Sequence, residues 1–336
     1  MTRKFFAADL NWSIYQDPFR VIASSPQDWM DLNVDEYVEW HKYEMGCNCA
    51  SMQCIPFAGY ALYPSRLAPL APGEGSRVFP RFYEKARKEK MEVWSYMCVG
   101  VDVFTSNVRQ DWLVPTSRDH INYGALGPET PWTDLLCARI REFLSVYPVD
   151  GMLFDWFCYG SLKPNDFMVQ PVWFAEKPFR EIIGRPMPDK AGEITQEEGM
   201  KYKREVLARQ FTAIKKAVKE TSGETKLMFN VPYWEPYEKI WEGHIMMEES
   251  DILLAESSDD VVGWLLEVKK PWQKVMTTVI GRLDGVCDPT TWRKWHDLGC
   301  DLLGYAFGTP PSFYPLSSYD GELAIVKQAF REIKDL

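Results

Sequence analysis

The stretch "VDGMLFDWF", Val149–Phe157, decides the reading of the fold. Val149, Met152, Leu153, Phe154, Trp156 and Phe157 make one large apolar run without a polar–apolar alternation. A run of that kind suits a strand of a parallel sheet covered on both faces. Asp150–Gly151 at its entry reads as turn chemistry. Asp155 stands at its far end, between Phe154 and Trp156. A carboxylate in such a place asks where the strand ends and what lies beyond it.

Reading outward from Val149–Phe157, short apolar runs alternate with amphipathic segments along the whole chain. "FFAADL" is the first strand. "SPQDWMDLNVDEYVEWHKYEMG" (Ser25–Gly46) carries Ser/Asp start signals, a helical apolar period and a closing glycine. "CNCASMQCI", "MEVWSYMCVGV" and "VDGMLFDWF" are strands two to four, and the intervening "FPRFYEKARKEK" and "PWTDLLCARIREFLSVYP" are helices. Residues 158–194 form an insertion rich in Pro, Phe and Trp. The helix "TQEEGMKYKREVLARQFTAIKKAVKETSG" follows. "KLMFNVPY", "DILLAES", "KVMTTVIGR" and "CDLLGYAFG" are strands five to eight, alternating with helices at "EKIWEGHIMMEES", "VVGWLLEVKKP", "DPTTWRKWHDLG" and "YDGELAIVKQAFREIKDL". Eight strand-then-helix units over 336 residues predict an α/β protein, a single-domain (β/α)8 TIM barrel over residues 1–336, with the insertion after strand four. An open doubly wound sheet fits less well, because no glycine-rich phosphate fingerprint follows the first strand.

The composition bounds the partners. The chain is 46% hydrophobic with a formal net charge of −10 and no Lys/Arg-rich block. Nucleic acid is therefore not an expected partner. The start "MTRKFFAADLNW" lacks the apolar segment of a signal peptide, and no apolar run reaches membrane-spanning length. A cytoplasmic protein without membrane contact is expected, its oligomeric state left open, a homo-oligomer included. The eight cysteines show neither a C-x-x-C pair nor zinc spacing and read as reduced thiols. No metal and no cofactor is expected.

Active sites of (β/α)8 barrels lie at the C-terminal ends of the strands. The polar and aromatic residues predicted there are Asp9, Asn11 and Trp12 on strand one, Gln53, Phe57 and Tyr60 on two, Asp102 on three, and Asp155 and Trp156 on four. Asn230, Tyr233, Trp234 and Glu235 follow on five, Glu256 on six, Arg282 and Asp284 on seven, and Tyr305 on eight. His41, His120, His244 and His296 fall on helices or loops, where a solvated or capping role is the default. Two carboxylates flanking a bond, with aromatics to hold a ring, is the glycoside hydrolase arrangement. One carboxylate stays ionised at the anomeric carbon, and the other, kept protonated by an apolar setting, donates to the leaving oxygen.

Asp155 and Glu256 form the best pair, with Glu235 and Asp284 in reserve. The bland alternatives are a helix cap or an ion pair with Arg282 for Asp155, and a first-turn helix residue for Glu256. Trp12, Tyr60, Trp156, Trp234 and Tyr305 are candidates to line a sugar site. Asn11, Asn230 and Arg282 are candidates for hydroxyl or carboxylate recognition. A small-molecule carbohydrate is thus the expected partner. Two other classes remain: a sugar-binding pseudoenzyme, and a barrel lyase or isomerase with a carboxylate base, with or without Mg²⁺.

Three stretches carry a family resemblance. "AGYALYPSRLAP" (Ala58–Pro69) resembles the motif after the second strand of α-L-fucosidases, roughly D-G-F-A-L-W-P-S-K. "PWTDLLCARIREFLSVYPVDGMLFDWF" (Pro131–Phe157) resembles their fourth unit, a helix carrying R-E-L that leads to a strand ending W-F-D-G. "SRVFPRFYEKARKEKMEVWSY" (Ser76–Tyr96) is similar to their third unit in the same order. The resemblance covers about residues 1–160; within the insertion, "PFREIIGRPMP" also resembles an element of less-characterised fucosidase-like hydrolases. It implies a retaining glycosidase in which Asp155 is the nucleophile and Glu256 the acid/base. Two differences bear on the sugar. Pro56 and Phe57 stand where fucosidases carry a sugar-binding His-His pair, and Asn11–Trp12 stands where they carry His-Trp. Sites that lose such donors lose discrimination for the hydroxyls they held. The resemblance therefore implies the scaffold and the nucleophile, with a substrate other than an ordinary fucoside.

Overall fold

The structure, a computed structural model, describes residues 1–9, 32–114, 125–157, 159, 173–231, 240–256, 259–278, 289–307 and 319–333. Eight parallel strands form one sheet: β1 (Lys4–Asp9), β2 (Cys49–Ile55), β3 (Glu92–Cys98), β4 (Gly151–Asp155), β5 (Lys226–Asn230), β6 (Ile252–Ala255), β7 (Lys274–Thr278) and β8 (Asp301–Phe307). The hydrogen-bonded order β1-β8-β7-β6-β5-β4-β3-β2 wraps the sheet until β2 lies against β1. The Asn48 carboxamide staples that seam, accepting from Lys4 N at 2.8 Å and donating to Thr2 O at 2.8 Å. The fold is a nearly closed (β/α)8 barrel, as the alternation predicts.

The described helices are α1 (Val34–Glu39, continued by a π-turn Trp40–Glu44), α2 (Val78–Lys88), α3 (Val103–Val108), α4 (Trp132–Val146), α5 (Glu176–Ile183), α6 (Gln196–Thr221), α7 (Ile245–Glu249), α8 (Asp259–Val268), α9 (Pro289–Asp297) and α10 (Tyr319–Glu332). Long helix α6 opens with a capping box, in which the Thr195 hydroxyl and the Glu198 carboxylate each accept from the other's backbone N–H. Of the segment that begins at Ser25 the structure describes Leu32 onward, where the Asn33 side chain caps α1 by accepting from Glu36 N. The "EKIWEGHIMMEES" helix is broken by Gly243 at φ +66°, after which His244 caps α7. The insertion, read as a loop, carries α5 in its described part. Phe179 and Ile182 of α5 pack on Tyr202 and Val206 of α6.

The barrel interior is an apolar layer of Phe5, Cys49, Trp94, Met228, Ile252, Leu254, Met276 and Leu303, with Ala7 and Leu153 at its edge. Gly151 makes room for the largest of them. A Cβ at Gly151 would meet the Trp94 ring at 2.1 Å. The sequence reads this glycine as a turn residue, whereas its role is packing: it is the first residue of β4, and its neighbour Asp150 does the fastening. Asp150 Oδ2 accepts from Val93 N at 2.7 Å and from Arg87 at 2.6 Å. Below the layer, Arg3 binds Glu92 and the buried Asp301, and Glu92 accepts from the Trp94 indole.

The described cysteines are all free and buried. His41 is not solvated: it lies fully buried, its Nδ1 bonded to Tyr37 O at 2.7 Å, and burial pushes its pKa down to about 4. No helix among the described residues is long and apolar enough to cross a membrane.

Candidate active site

Side chains alternate across a strand, so a residue two positions beyond a core residue faces the same way. Trp94, Leu153, Met228, Leu254 and Met276 face the barrel interior. Two positions on stand Tyr96, Asp155, Asn230, Glu256 and Thr278. The parity that builds the core therefore delivers a polar layer immediately above it, at the C-terminal mouth.

These groups are bonded to one another. Asp155 Oδ1 accepts from Trp156 N at 2.7 Å and from Asn230 Nδ2 at 2.9 Å. Asp155 Oδ2 accepts from the Tyr96 hydroxyl at 3.1 Å. The same Asn230 Nδ2 donates to Glu256 Oε2 at 2.8 Å. The two N–H bonds of one amide nitrogen thus serve two carboxylates. Linear bonds to amide hydrogens diverging at about 120° would set the two oxygens about 5 Å apart. Glu256 is held from below as well, since the Thr278 hydroxyl donates to its carbonyl at 3.1 Å. Asp155, Trp156, Asn230 and Glu256 are all partly exposed, so the pair opens on solvent.

Trp156 takes φ +57°, a left-handed conformation rare outside glycine. Strain of that kind is of order 1–3 kcal/mol and persists where the surroundings impose it. Here the turn leaves the Trp156 N–H on its neighbour's carboxylate. The Trp156 ring lies against Phe57, centroids 5.7 Å apart, in an apolar group with Tyr96, Cys98, Val101 and Val103.

Of the residues the sequence singles out, the structure brings together Asp155, Trp156, Asn230 and Glu256. Tyr60 is half-buried beside Phe104, centroids 5.8 Å apart, on the loop after β2. Asn11, Trp12, Trp234, Glu235, Arg282 and Asp284 lie outside the described residues, as do the side chains of Asp9 and Tyr305. Asp102 is not a mouth acid. It is buried, caps α3 by accepting from Thr105 N at 2.6 Å, and binds Arg139 at 2.8 Å. Gly59, at φ +86°, makes room for it, since a Cβ there would sit 2.3 Å from Asp102 Oδ1. His244 caps α7 and is held neutral by burial, its pKa lowered to about 4. Tyr96 and Thr278 escape the sequence reading because each sits inside an apolar run; counting two on from the core residue would have found both. Among the described residues no three His, Cys, Asp or Glu side chains gather as a metal site.

No family model and no curated protein matches the sequence. Solved structures do. Over 98% of this chain the fold matches α-L-fucosidase isoenzyme 2 from Paenibacillus thiaminolyticus, with a TM-score of 0.64 at 15% identity. The chain shares the barrel fold of that structure. An α-L-fucosidase GH29 from Bacteroides thetaiotaomicron matches over 91% of the chain, with a TM-score of 0.52 at 14% identity. This chain spans 49% of the length of the first and 61% of the second. At such identities the likeness is one of fold.

The fucosidase-like stretches also meet in space. Glu142 of the "IREFL" segment accepts from the Ser65 hydroxyl at 2.5 Å and from Arg66 N at 2.7 Å. Arg139, one turn earlier, donates to Leu67 O at 3.1 Å. The "YPSR" loop is thereby clamped to α4, the helix that leads into β4. These two stretches hold the scaffold around Asp155.

Proposed function

We propose that the protein is a glycosidase that cleaves small glycosides or oligosaccharides with retention of configuration. The observation that carries this is the pair Asp155–Glu256, from separate strands, bonded to one amide nitrogen at the mouth of a fucosidase-like barrel. Retaining enzymes place their two carboxyls about 5–5.5 Å apart, whereas inverting enzymes leave about 6.5–9.5 Å for a water. The spacing through Asn230 fits the former.

Asp155 serves as nucleophile. Three donors favour its ionised form, as a carboxylate that attacks an anomeric carbon requires. Glu256 serves as acid/base, giving its proton to the leaving oxygen and then taking one from the water that hydrolyses the glycosyl ester. Trp156 and Phe57 supply an apolar wall beside the nucleophile, which fits a sugar presenting an apolar face there. With Pro56 and Phe57 offering no ring nitrogen, recognition differs from that of a fucoside held by paired histidines.

The test is turnover of a panel of 4-nitrophenyl glycosides by the wild type and by Asp155→Asn. The substitution keeps the fold and lowers kcat by at least about a thousandfold, since it removes the nucleophile. Full activity in Asp155→Asn would remove the assignment.

A further inference from the structure

Among the described residues Asp155 is gripped from three directions, and two of the grips come from other strands. Tyr96 reaches it from β3 and Asn230 from β5, while Trp156 N belongs to its own turn. A carboxylate's terminal torsion is broad and roughly two-fold, so a lone aspartate is free to rock about its Cβ–Cγ bond. One donor on Oδ2 and two on Oδ1 remove that freedom. The phenol is itself steadied, because its ring packs in the apolar group of Phe57, Cys98, Val101 and Val103. We propose that Tyr96 and Asn230 are positioning residues: Tyr96 fixes the plane of the Asp155 carboxylate, and Asn230 fixes its gap to Glu256.

The sequence had offered Asn230 as a ligand for sugar hydroxyls. Its amide nitrogen has two hydrogens, and both are spent on carboxylates. Donating to a sugar would mean releasing one acid, which leaves only its carbonyl oxygen to face substrate. The groups facing Asp155 among the described residues are the titratable Tyr96 from β3, the neutral Asn230 from β5 and, across Asn230, Glu256 from β6. Both positioning groups are neutral donors, so they favour the anion without neutralising it. A cation in their place would blunt the nucleophile.

The clamp is a property of the folded protein, and only its catalytic consequence rests on the glycosidase reading. The experiment separates the two. Aspartate carboxyls are labelled with ¹³C, and the wild type, Tyr96→Phe and Asn230→Ala are titrated by NMR, with Asp155→Asn assigning the resonance. Circular dichroism checks that each variant is folded. The Asp155 midpoint is expected to rise by about one unit in each variant, as loss of a donor to the charged form requires. A midpoint that moves in neither variant overturns the clamp, whether or not a substrate is known.

With whichever 4-nitrophenyl glycoside the wild type turns over, kcat falls about 10–100-fold at a KM within about twofold, and the acid limb of kcat/KM moves up with the NMR midpoint. A raised KM at unchanged kcat in Asn230→Ala overturns the positioning role and makes Asn230 a sugar ligand. If no glycoside of the panel is turned over by the wild type, the glycosidase reading fails while the titration still decides the clamp.

Discussion

The floor and the mouth of the barrel are built by the same strands, two residues apart. Trp94, Leu153, Met228, Leu254 and Met276 give way to Tyr96, Asp155, Asn230, Glu256 and Thr278. Below, side chains fill space and gain from leaving water. Above, each polar group holds another. One step of the β-period separates a layer of packed apolar side chains from a layer of polar groups bonded to one another. Stability and activity should therefore respond to substitutions in different layers.

The strongest break in that comparison is to carry the mouth's chemistry down one layer. Met228→Asn places an amide among apolar side chains with no described partner and leaves a gap. A loss of about 3–5 kcal/mol in denaturant unfolding is expected, while kcat per folded molecule stays near that of the wild type. A variant of unchanged stability would show that the floor tolerates polarity and that the layers are not distinct.

A second comparison sets against each other an acid that ends β4 and one that lies beyond the end of β3. Among the described residues Asp155 accepts from neutral donors, whereas the buried Asp102 is tied to the Arg139 guanidinium, both of the latter side chains almost wholly buried. Removing one partner of such a pair leaves a buried charge unmatched. Arg139→Ala is expected to lower stability by about 3–5 kcal/mol in chemical denaturation, with the kcat of the molecules that remain folded retained. Loss of kcat at full stability would make Asp102 part of the site after all.

The smallest effect concerns Glu129, on the loop after β3. Burial raises its pKa to about 7, and its carboxyl accepts from the Tyr202 hydroxyl of α6. The folded state holds the proton more tightly than the unfolded chain does. Its contribution is therefore full below pH 4.5, shrinks as pH rises towards 7 and is lost above it. Between those limits the wild type should lose on the order of 3 kcal/mol relative to Glu129→Gln, read from melting curves at several pH values. His41 and His244, held neutral by burial, act on the acid side and are present in both proteins, so they cancel. A constant difference across pH would refute the assignment.

Local pattern carried the barrel. Continuous apolar runs and helical periods marked the strands and most helices, because each is set by its own residues. What stayed hidden depends on partners distant in sequence. Asp102 looks like a mouth acid until Arg139 arrives from α4. Gly151 looks like a turn until Trp94 fills the space beside it. His41, on an amphipathic segment, turned out to be a core residue because α1 presses it towards Phe6 of β1 and Tyr37. At the site, Asp155 and Glu256 were legible as acids ending strands. Tyr96 was masked by its apolar neighbours, and the pair of hydrogen bonds made by Asn230 has no sequence signature. Asn11, Trp12, Trp234 and Arg282 lie outside the described residues.

The central claim is that the Asp155 and Glu256 carboxyls, bridged by Asn230, act in succession on one anomeric carbon. The most direct measurement is ¹H NMR of the first-formed product from an aryl glycoside that the enzyme turns over, recorded before mutarotation. The account predicts a product of the same anomeric configuration as the substrate, whereas the opposite anomer would contradict it.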